Sequence, residues 1–458
     1  MLALATVLIF GGILEKRTAL RNVPMTDLGV FACASWAVWH GQDLYQITDW
    51  NGWHYQYPPA LALLFVPLAH PLPAELPKLP DGVARSQANT PWGFNLPGHR
   101  RFYGLHRQNV RFFVIVAAWY AVSVSLIVFS THALACVLER ASFTTPPPDD
   151  RARRRRWWAL RGWPLIICLG SLGTELSRGQ VDVVVLAAVS LGVYCTAANR
   201  DVSAGCCFAL PATIKLFPPF LLLYPFWRRR RRMLAGVLAG LFLLLAVLPA
   251  VTLGPTRTIA LYHSWIQVLA GPALGHGTDA SRTRELTGMT STDNQSLLAF
   301  IHNWRYWDIP RKKRPSAAMP AERYAVYGVG IALLIAIAAS AGWRRQDQPR
   351  DLLLLVGLLI GLSFVISPIV HNYYYLVLLP LIAGLLDHAL TGAEKVLWLL
   401  ALFAAVDFLA RLPGVGPALR DRGAPFLSLF VLMGAAAFFL IRGKLKTAGM
   451  DCQREGMP

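Results

Sequence analysis

The stretch Arg228–Leu253, RRRRRMLAGVLAGLFLLLAVLPAVTL, joins five consecutive arginines to an uncharged apolar run. The run reaches the roughly 20 residues that a helix needs to cross the hydrocarbon core of a bilayer. An arginine run beside such a segment marks its cytoplasmic end. Comparable apolar segments recur at Phe112–Leu138 and Leu352–Ile366. The sequence therefore predicts an all-α polytopic membrane protein.

The composition supports this fold class. Of the 458 residues, 55% are hydrophobic and 15% are charged, whereas a soluble protein carries about 25% charged residues. The net charge of +19 lies in short runs beside apolar segments, at 151–156, 228–232, 344–345 and 442–446. A nucleic-acid site needs a continuous basic surface, so we expect no nucleic-acid partner. The seven cysteines contain no CxxC pair, and we expect neither a metal site nor a disulfide framework.

The basic runs also predict the topology, because they assign the loops that carry them to the cytoplasm. Residues 15–111 become the first extracytoplasmic loop, with interfacial helices and a proline-rich insertion at 70–111. Residues 254–323 become a long extracytoplasmic loop, and 442–458 a cytoplasmic tail. We interpret 1–458 as a single transmembrane domain in the cell inner (plasma) membrane.

The segment Val202–Phe226 is predicted to be a broken helix. An even number of crossings must separate the basic runs on either side of it, and the proline pair that follows Lys215 interrupts helical hydrogen bonding. Broken helices at membrane depth are tolerated where they line a cavity. A topology with this break places Lys215, Asp27 and the Arg178-Gly179-Gln180 turn on the extracytoplasmic side.

A polar and aromatic patch follows the first apolar segment, in TDLGVFACASWAVWHGQDLYQITDWNGWHYQYPP at Thr26–Pro59. It holds Asp27, His54 and Tyr57 among several tryptophans and tyrosines. Such a patch is unusual in a chain of apolar segments, and we interpret it as part of the functional site. Asp43 and Asp49 are assigned loop and capping roles.

Each candidate also has a structural explanation that the residues leave open. Asp27 follows Thr26 at the start of a helix and suits the positive end of the helix dipole. Lys215 is able to extend its ammonium group to the interface, or to bind a lipid phosphate. Arg178 and Gln180 suit phosphate or sugar hydroxyls, although Asp182 is able to neutralise Arg178.

Two further polar motifs face the same predicted side. His371 and Asn372 stand in SPIVHNYYY, where the tyrosines also fit an interfacial aromatic belt. Asn294 and Gln295 stand in TDNQSL, which also fits a helix cap. The convergence of five weak signals on one membrane face predicts a site there.

The order of these motifs resembles a known family. Its elements here are Asp27, the GxDxY at Gly41–Tyr45, YQYPP at Tyr55–Pro59 and Arg178-Gly179-Gln180. They continue with AGCCFALPATIKLFPPFLLLYPFWRRRRR at 204–232, DNQSL at 293–297 and SPIVHNYYYLVLLP at 367–380. The chain resembles the GT-C superfamily of polyprenyl-phosphate-sugar glycosyltransferases, specifically family GT87 (DUF2029), over most of its length except the 70–111 insertion.

The resemblance implies a GT-C-type helix bundle that moves a hexose, most commonly mannose, from a polyprenyl phosphate to an extracytoplasmic acceptor with inversion. It implies Asp27 as general base, and Lys215 with Arg178 as ligands of the lipid phosphate. The implied sugar or acceptor contacts are Gln180, Asn294, Gln295 and His371, and we also expect Tyr57, His54 and Asn372 to contact the sugar or acceptor. The acceptor class, whether glycolipid, glycan or protein, stays open.

The implied chemistry is physically reasonable without a cofactor or metal. A phosphate paired with cations is already a good leaving group, whereas the acceptor hydroxyl needs a base within hydrogen-bond reach. A transporter or lipid flippase is the alternative, because broken helices and intramembrane cations also occur there. Such transporters commonly contain repeated halves, and no internal repeat is visible in this sequence.

Overall fold

The computed structural model describes residues 2–20, 26–49, 53–69, 110–141, 149–215, 219–274, 285, 288–343 and 347–455. Within these ranges, regular structure is helical apart from two isolated bridges, Thr48 with His54 and Asn294 with His371. The predicted all-α membrane fold is confirmed. The predicted insertion at 70–111 lies almost entirely outside the described residues.

The helices of the first half frame the polar patch. In chain order they are α1 (Leu2–Arg17), α2 (Asp27–Trp39), α3 (Pro59–Leu64), α4 (Val66–Ala69), α5 (Val110–Ala141), α6 (Asp150–Ile167), α7 (Leu169–Arg178), α8 (Asp182–Ala197), α9 (Asp201–Lys215) and α10 (Leu223–Trp227).

The second half supplies most of the long spans. Its helices are α11 (Arg231–Phe242), α12 (Leu248–Leu253), α13 (Pro255–Leu274), α14 (Leu297–Arg305), α15 (Pro320–Ala341), α16 (Pro349–Ile366), α17 (Leu379–Leu390), α18 (Val396–Leu409), α19 (Val415–Asp421) and α20 (Ala424–Glu455). A π-helical turn at Leu243–Val247 joins α11 to α12.

Six helical segments in the described part of the chain are long and apolar enough to cross a membrane, and three further apolar helices are shorter. The sequence predicts about a dozen crossings when half-length arms are counted. The two counts differ because the sequence count includes half-length arms such as α9, which are not among the six long spans. Helix α9 is described as far as Lys215, and a 3₁₀ turn is described at Pro219–Leu222. Residues 216–218 lie outside the described residues, so the break at Lys215 stays a prediction.

The segment 254–323 differs from the long polar loop that the sequence predicts. It contains the 20-residue helix α13 and the shorter α14. Helix α13 buries Leu261 in the bundle, and Tyr262 donates a hydrogen bond of 2.6 Å to the carbonyl of Leu245 in the π-helical turn. The apolar residues of α13 are dispersed among polar ones, so a search for continuous apolar runs does not reveal the helix.

Helix α16 separates two chemically different ends of the bundle. At its start, Arg350 and Arg156 both bind the Asp387 carboxylate, at 2.5 and 2.7 Å. At its other end the chain continues into Ile369 and His371, which line a polar cavity. The helix has 18 residues and is therefore about 27 Å long, enough to span most of the membrane core.

Candidate active site

A polar cavity of about 310 Å³ lies at the end of the bundle away from Asp387. The start of α2, the segment 53–57, the end of α7, Glu285, the segment 288–293 and the segment 369–374 supply its walls. The lining residues are Asp27, Val30, Phe31, Trp53, His54, Gln56, Tyr57, Arg178, Glu285, Gly288, Ser291, Asp293, Ile369, His371, Tyr373 and Tyr374. The fold therefore brings five of the predicted site residues, Asp27, His54, Tyr57, Arg178 and His371, to one cavity.

Asp27 and Arg178 face each other in this cavity. Asp27 is the first residue of α2, and its Oδ2 atom lies 3.8 Å from Nη1 of Arg178. This separation exceeds the 2.7–3.2 Å of a hydrogen bond, and buried Oδ2 has no hydrogen-bond partner in the described part of the chain. The carboxylate thus forms a long ion pair with Arg178 but no hydrogen bond through Oδ2, and it is able to accept a proton from a ligand.

A tight corner between α7 and α8 positions Arg178. Gly179 ends α7 in the left-handed conformation, with φ of 64°. Its carbonyl accepts a hydrogen bond of 3.1 Å from the Trp119 indole. Across the corner, the buried Glu175 carboxylate accepts a hydrogen bond from the Val183 amide in the first turn of α8. The side chain of Leu28, beside Asp27, packs directly against the glycine.

Replacing Gly179 with alanine is expected to lower the activity of this site by about tenfold or more. A Cβ atom there would lie 3.3 Å from the Leu28 Cβ atom, and small displacements of reacting groups are costly in rate. Gly41→Ala is a matched control, because Gly41 also has a positive φ, of 76°, but a Cβ there contacts nothing within 4 Å. Activity assays and melting curves of both variants separate the local displacement from the shared backbone strain of roughly 1–2 kcal/mol. Equal activity losses in both would contradict the role of the corner.

Lys215 lies behind the cavity wall. Its ammonium group is 2.8 Å from Oδ2 of Asp182, and both side chains are almost completely buried. Its Nζ atom also lies 4.2 Å from the ring centroid of Tyr374 and 5.3 Å from that of Tyr373, two residues that line the cavity. The lysine charge is therefore separated from the cavity by tyrosine rings.

His371 presents a neutral ring to the cavity. Burial, and then the nearby Arg178 guanidinium, lowers the pKa of the imidazole to about 4. The ring stacks on Tyr373 with a centroid separation of 5.3 Å, and its buried Nδ1 atom has no hydrogen-bond partner among the described residues. A neutral imidazole with a free nitrogen suits a hydroxyl group of a ligand.

His54 is held by a carboxylate that the sequence analysis missed. Glu285 accepts hydrogen bonds from the His54 backbone amide and from Gln56, at 3.2 and 3.0 Å, and its other oxygen lies 3.0 Å from Nδ1 of His54. The partners lie 231 positions apart in the chain. Glu285 belongs to no motif and is one of several acids in the segment 254–323, so the sequence holds no signal that singles it out.

Asn294 and Gln295 lie outside the cavity wall and join two chain segments. The Asn294 amide donates to the Pro368 carbonyl at 3.1 Å and accepts from the Val370 amide at 3.1 Å. The Gln295 backbone amide donates to the Val370 carbonyl at 2.7 Å. These contacts attach the segment before α14 to the chain just before His371, so the two residues position the cavity wall.

The other two predicted contacts are also buried away from the cavity lining. Gln180 is 1% exposed, and neither polar atom of its side chain has a partner in the described part of the chain. Asn372 is 3% exposed, and its backbone carbonyl accepts a hydrogen bond from Ser171. Among the described residues, no group of three or more His, Cys, Asp or Glu side chains is arranged to hold a metal ion.

An apolar groove of about 870 Å³ lies beside the polar cavity. Its lining residues are Val38, Trp39, Ala60, Leu61, Leu63, Leu64, Val66, Val184, Leu210, Thr213, Ile214, Leu244, Leu248, Thr252, Leu253 and Arg257. Ile214 in the groove directly precedes Lys215, and Ala60 follows Tyr57 of the cavity by three residues. The Lys215–Asp182 pair therefore lies at the junction of an apolar groove and a polar cavity.

The model of glycosyltransferase family 87 matches residues 55–368, more than half of the chain. The matched range includes Tyr57, Arg178 and Lys215, whereas Asp27 lies well before its start and His371 lies just after its end. No curated protein matches the chain.

Proposed function

Because the chain belongs to glycosyltransferase family 87, we propose that it transfers a hexose, mannose by the family expectation, from a polyprenyl phosphate to an extracytoplasmic acceptor. The coarser assignment, a multi-pass membrane glycosyltransferase, rests on the family match and on the apolar helices. The carrier, the sugar and the residue roles are the proposal. The acceptor is a glycolipid, glycan or protein at the extracytoplasmic face of the inner membrane.

The observation that carries the proposal is the pairing of Asp27 with Arg178 in one cavity. Transfer from a phosphate needs a base near the acceptor hydroxyl and a cation near the leaving group. Arg178, with its side chain 23% exposed, is the cation of this cavity that reaches a ligand directly. The geometry supports these two roles for these two residues.

The reaction then proceeds in one displacement. Asp27 removes the proton of the acceptor hydroxyl while its oxygen attacks the anomeric carbon, and the bond from that carbon to the phosphate oxygen breaks. The electron pair of the broken bond leaves with polyprenyl phosphate, whose charge Arg178 stabilises. A single attack from the face opposite the phosphate inverts the anomeric centre. No second carboxylate is required, because the phosphate leaves without being protonated, unlike the leaving group in glycoside hydrolysis.

The apolar groove supports a lipid-carried donor. A polyprenyl chain in the groove would bring its phosphate to the junction where Lys215 lies, with the sugar entering the polar cavity. Lys215 forms an ion pair with Asp182. We propose that the lysine charge stabilises the phosphate across the tyrosine rings that separate it from the cavity, or that the lysine side chain moves away from Asp182 when the anion binds. No metal or other cofactor takes part in this proposal.

The cavity also offers groups that suit a sugar ring. Tyr57 and Trp53 supply aromatic faces, and the free His371 nitrogen suits a hydroxyl group. His54 is oriented by Glu285 and contributes to the rim. We propose Tyr57, His54 and His371 as direct contacts, and Gln180, Asn294, Gln295 and Asn372 as residues that hold the surrounding wall.

Filling the groove tests this arrangement. Leu248→Trp is expected to raise the KM for a long-chain polyprenyl-phospho-sugar by about tenfold, equivalent to about 1.4 kcal/mol of binding, because Leu248 lines the groove. A donor with a short lipid chain should be affected much less. Val251→Trp is the matched control, since Val251 belongs to the same helix, is 79% exposed and does not line the groove. An equal KM increase for both chain lengths would argue against lipid binding there.

A further inference from the structure

A basic and aromatic surface lies at the end of α14 and on the segment that follows it. It consists of Trp304, Arg305, Trp307, Lys312 and Lys313, all exposed, and is called the aromatic–basic face below. Its three cations form no ion pair within the described part of the chain. Their presence at the cavity end of the bundle is unexpected, because cations are normally concentrated in cytoplasmic loops.

The aromatic–basic face is part of a folded element. Arg311 and Arg314, which belong to the same segment, both reach the Asp421 carboxylate, at 3.6 and 3.1 Å. The buried His302 ring lies 3.0 Å from the Glu322 carboxylate and so attaches α14 to α15. With these contacts satisfied internally, the neighbouring Lys312 and Lys313 are left facing outward.

The face lies at the level where two spans begin. Phe300 of α14 packs against Phe426 in the first turn of α20, with ring centroids 5.6 Å apart. The Tyr306 hydroxyl contacts the Met319 sulfur immediately before α15. Both partners mark the ends of candidate membrane spans, and the ends of spans are where lipid headgroups are expected.

The exposed tryptophans strengthen this placement. Trp304 is 66% exposed and Trp307 47% exposed, and their ring centroids are 6.3 Å apart. Paired tryptophans are characteristic of membrane–water interfaces, and adjacent lysines are attracted to anionic headgroups. Asp308 is the single acid between Trp304 and Arg314.

We propose that the aromatic–basic face binds the headgroups of anionic phospholipids in the leaflet at the cavity end. The tryptophans enter the interface while Arg305, Lys312 and Lys313 contact the phosphates. This interaction is separate from the transfer chemistry and would hold the wall that includes Asp293 against the membrane surface. An anionic polysaccharide is the competing partner, and it would not require the tryptophans to be at headgroup depth.

Photocrosslinking with site mapping tests the proposal. The full-length protein is reconstituted in phosphatidylcholine membranes that contain phosphatidylglycerol with a photoactivatable headgroup, and labelled peptides are identified by mass spectrometry. We expect labelling of the peptide spanning 305–323, and about tenfold less labelling in Lys312→Gln/Lys313→Gln, because each lysine contributes severalfold to binding an anionic surface. Labelling beside the arginine run 228–232 provides the internal control and should not change.

Two further measurements make the result decisive. Asp308→Asn removes the acid from the face and should increase labelling of the same peptide, whereas a photoactivatable phosphatidylcholine should label it weakly in all variants. Equal labelling by both lipids, or labelling that ignores the lysine substitutions, would overturn the proposal. It would also be overturned if only a photoactivatable anionic oligosaccharide labelled this peptide. The readout does not depend on glycosyl transfer, so its failure is distinguishable from failure of the proposed enzymatic function.

Discussion

Replacing Asp27 with asparagine is expected to lower sugar transfer by about 10²- to 10⁴-fold, the range typical for loss of a general base. Asparagine has nearly the same shape, but its amide cannot accept the acceptor proton. The change should leave the protein folded, because the contact of the carboxylate with Arg178 is long, at 3.8 Å, and loose ion pairs between partly exposed side chains contribute little to stability. Transfer from a polyprenyl-phospho-sugar in proteoliposomes, compared with the melting temperature, measures both expectations.

Asp293→Asn is the matched control for Asp27. Asp293 lines the same cavity, but its side chain is 46% exposed and lies 3.6 Å from Arg420. It has no assigned role in proton transfer, and its substitution should reduce activity only modestly. If Asp27→Asn kept normal transfer, or if Asp293→Asn were the inactive variant, Asp27 could not be the base.

Replacing Lys215 with glutamine is expected to have the largest effect on stability. Asp182 is completely buried, and Lys215 lies 2.8 Å from it. Removing one member of a buried pair leaves an uncompensated charge, which costs about 3–5 kcal/mol. Thermal unfolding of the purified variant in detergent should therefore show a clear decrease in Tm, and the loss of activity alone would not be informative.

The double variant Lys215→Gln/Asp182→Asn separates the two roles of the lysine. Removing both charges should restore most of the stability, because a neutral hydrogen-bonded pair replaces the broken ion pair. If Lys215 also stabilises the leaving phosphate, the folded double variant should still transfer sugar at least about tenfold more slowly than the wild-type protein. Recovery of full activity together with stability would show that Lys215 serves only to neutralise Asp182.

The sequence predicts those parts of the site that local rules govern. Proline residues after Lys215 predict the end of α9, and the glycine between Arg178 and Gln180 predicts a position of close approach. The cytoplasmic assignment of the basic runs, with the number of crossings between them, predicts Asp27 and Arg178 on one side of the membrane. Each of these features depends on residues that are close together in the sequence, such as a proline pair or a basic run beside an apolar segment.

Contacts between distant segments are beyond such rules. Nothing local to His54 indicates its pairing with Glu285, and nothing near Asn294 indicates that its amide binds the Pro368 carbonyl. The burial of Lys215 behind Tyr374 likewise depends on how separate helices pack. A polar side chain is equally able to bind a ligand or another segment of the chain. Only the tertiary structure shows which of the two it does.

The most direct test of the account is transfer by the purified full-length protein in proteoliposomes that contain polyprenyl phosphate carrying isotopically labelled mannose. We predict that labelled mannose appears on an added acceptor with inverted anomeric configuration, that one polyprenyl phosphate is released for each sugar transferred, and that both products are lost in Asp27→Asn. Movement of the intact lipid or of a solute across the membrane without transfer would contradict the account, as would transfer from a soluble nucleotide sugar that leaves the lipid donor unchanged.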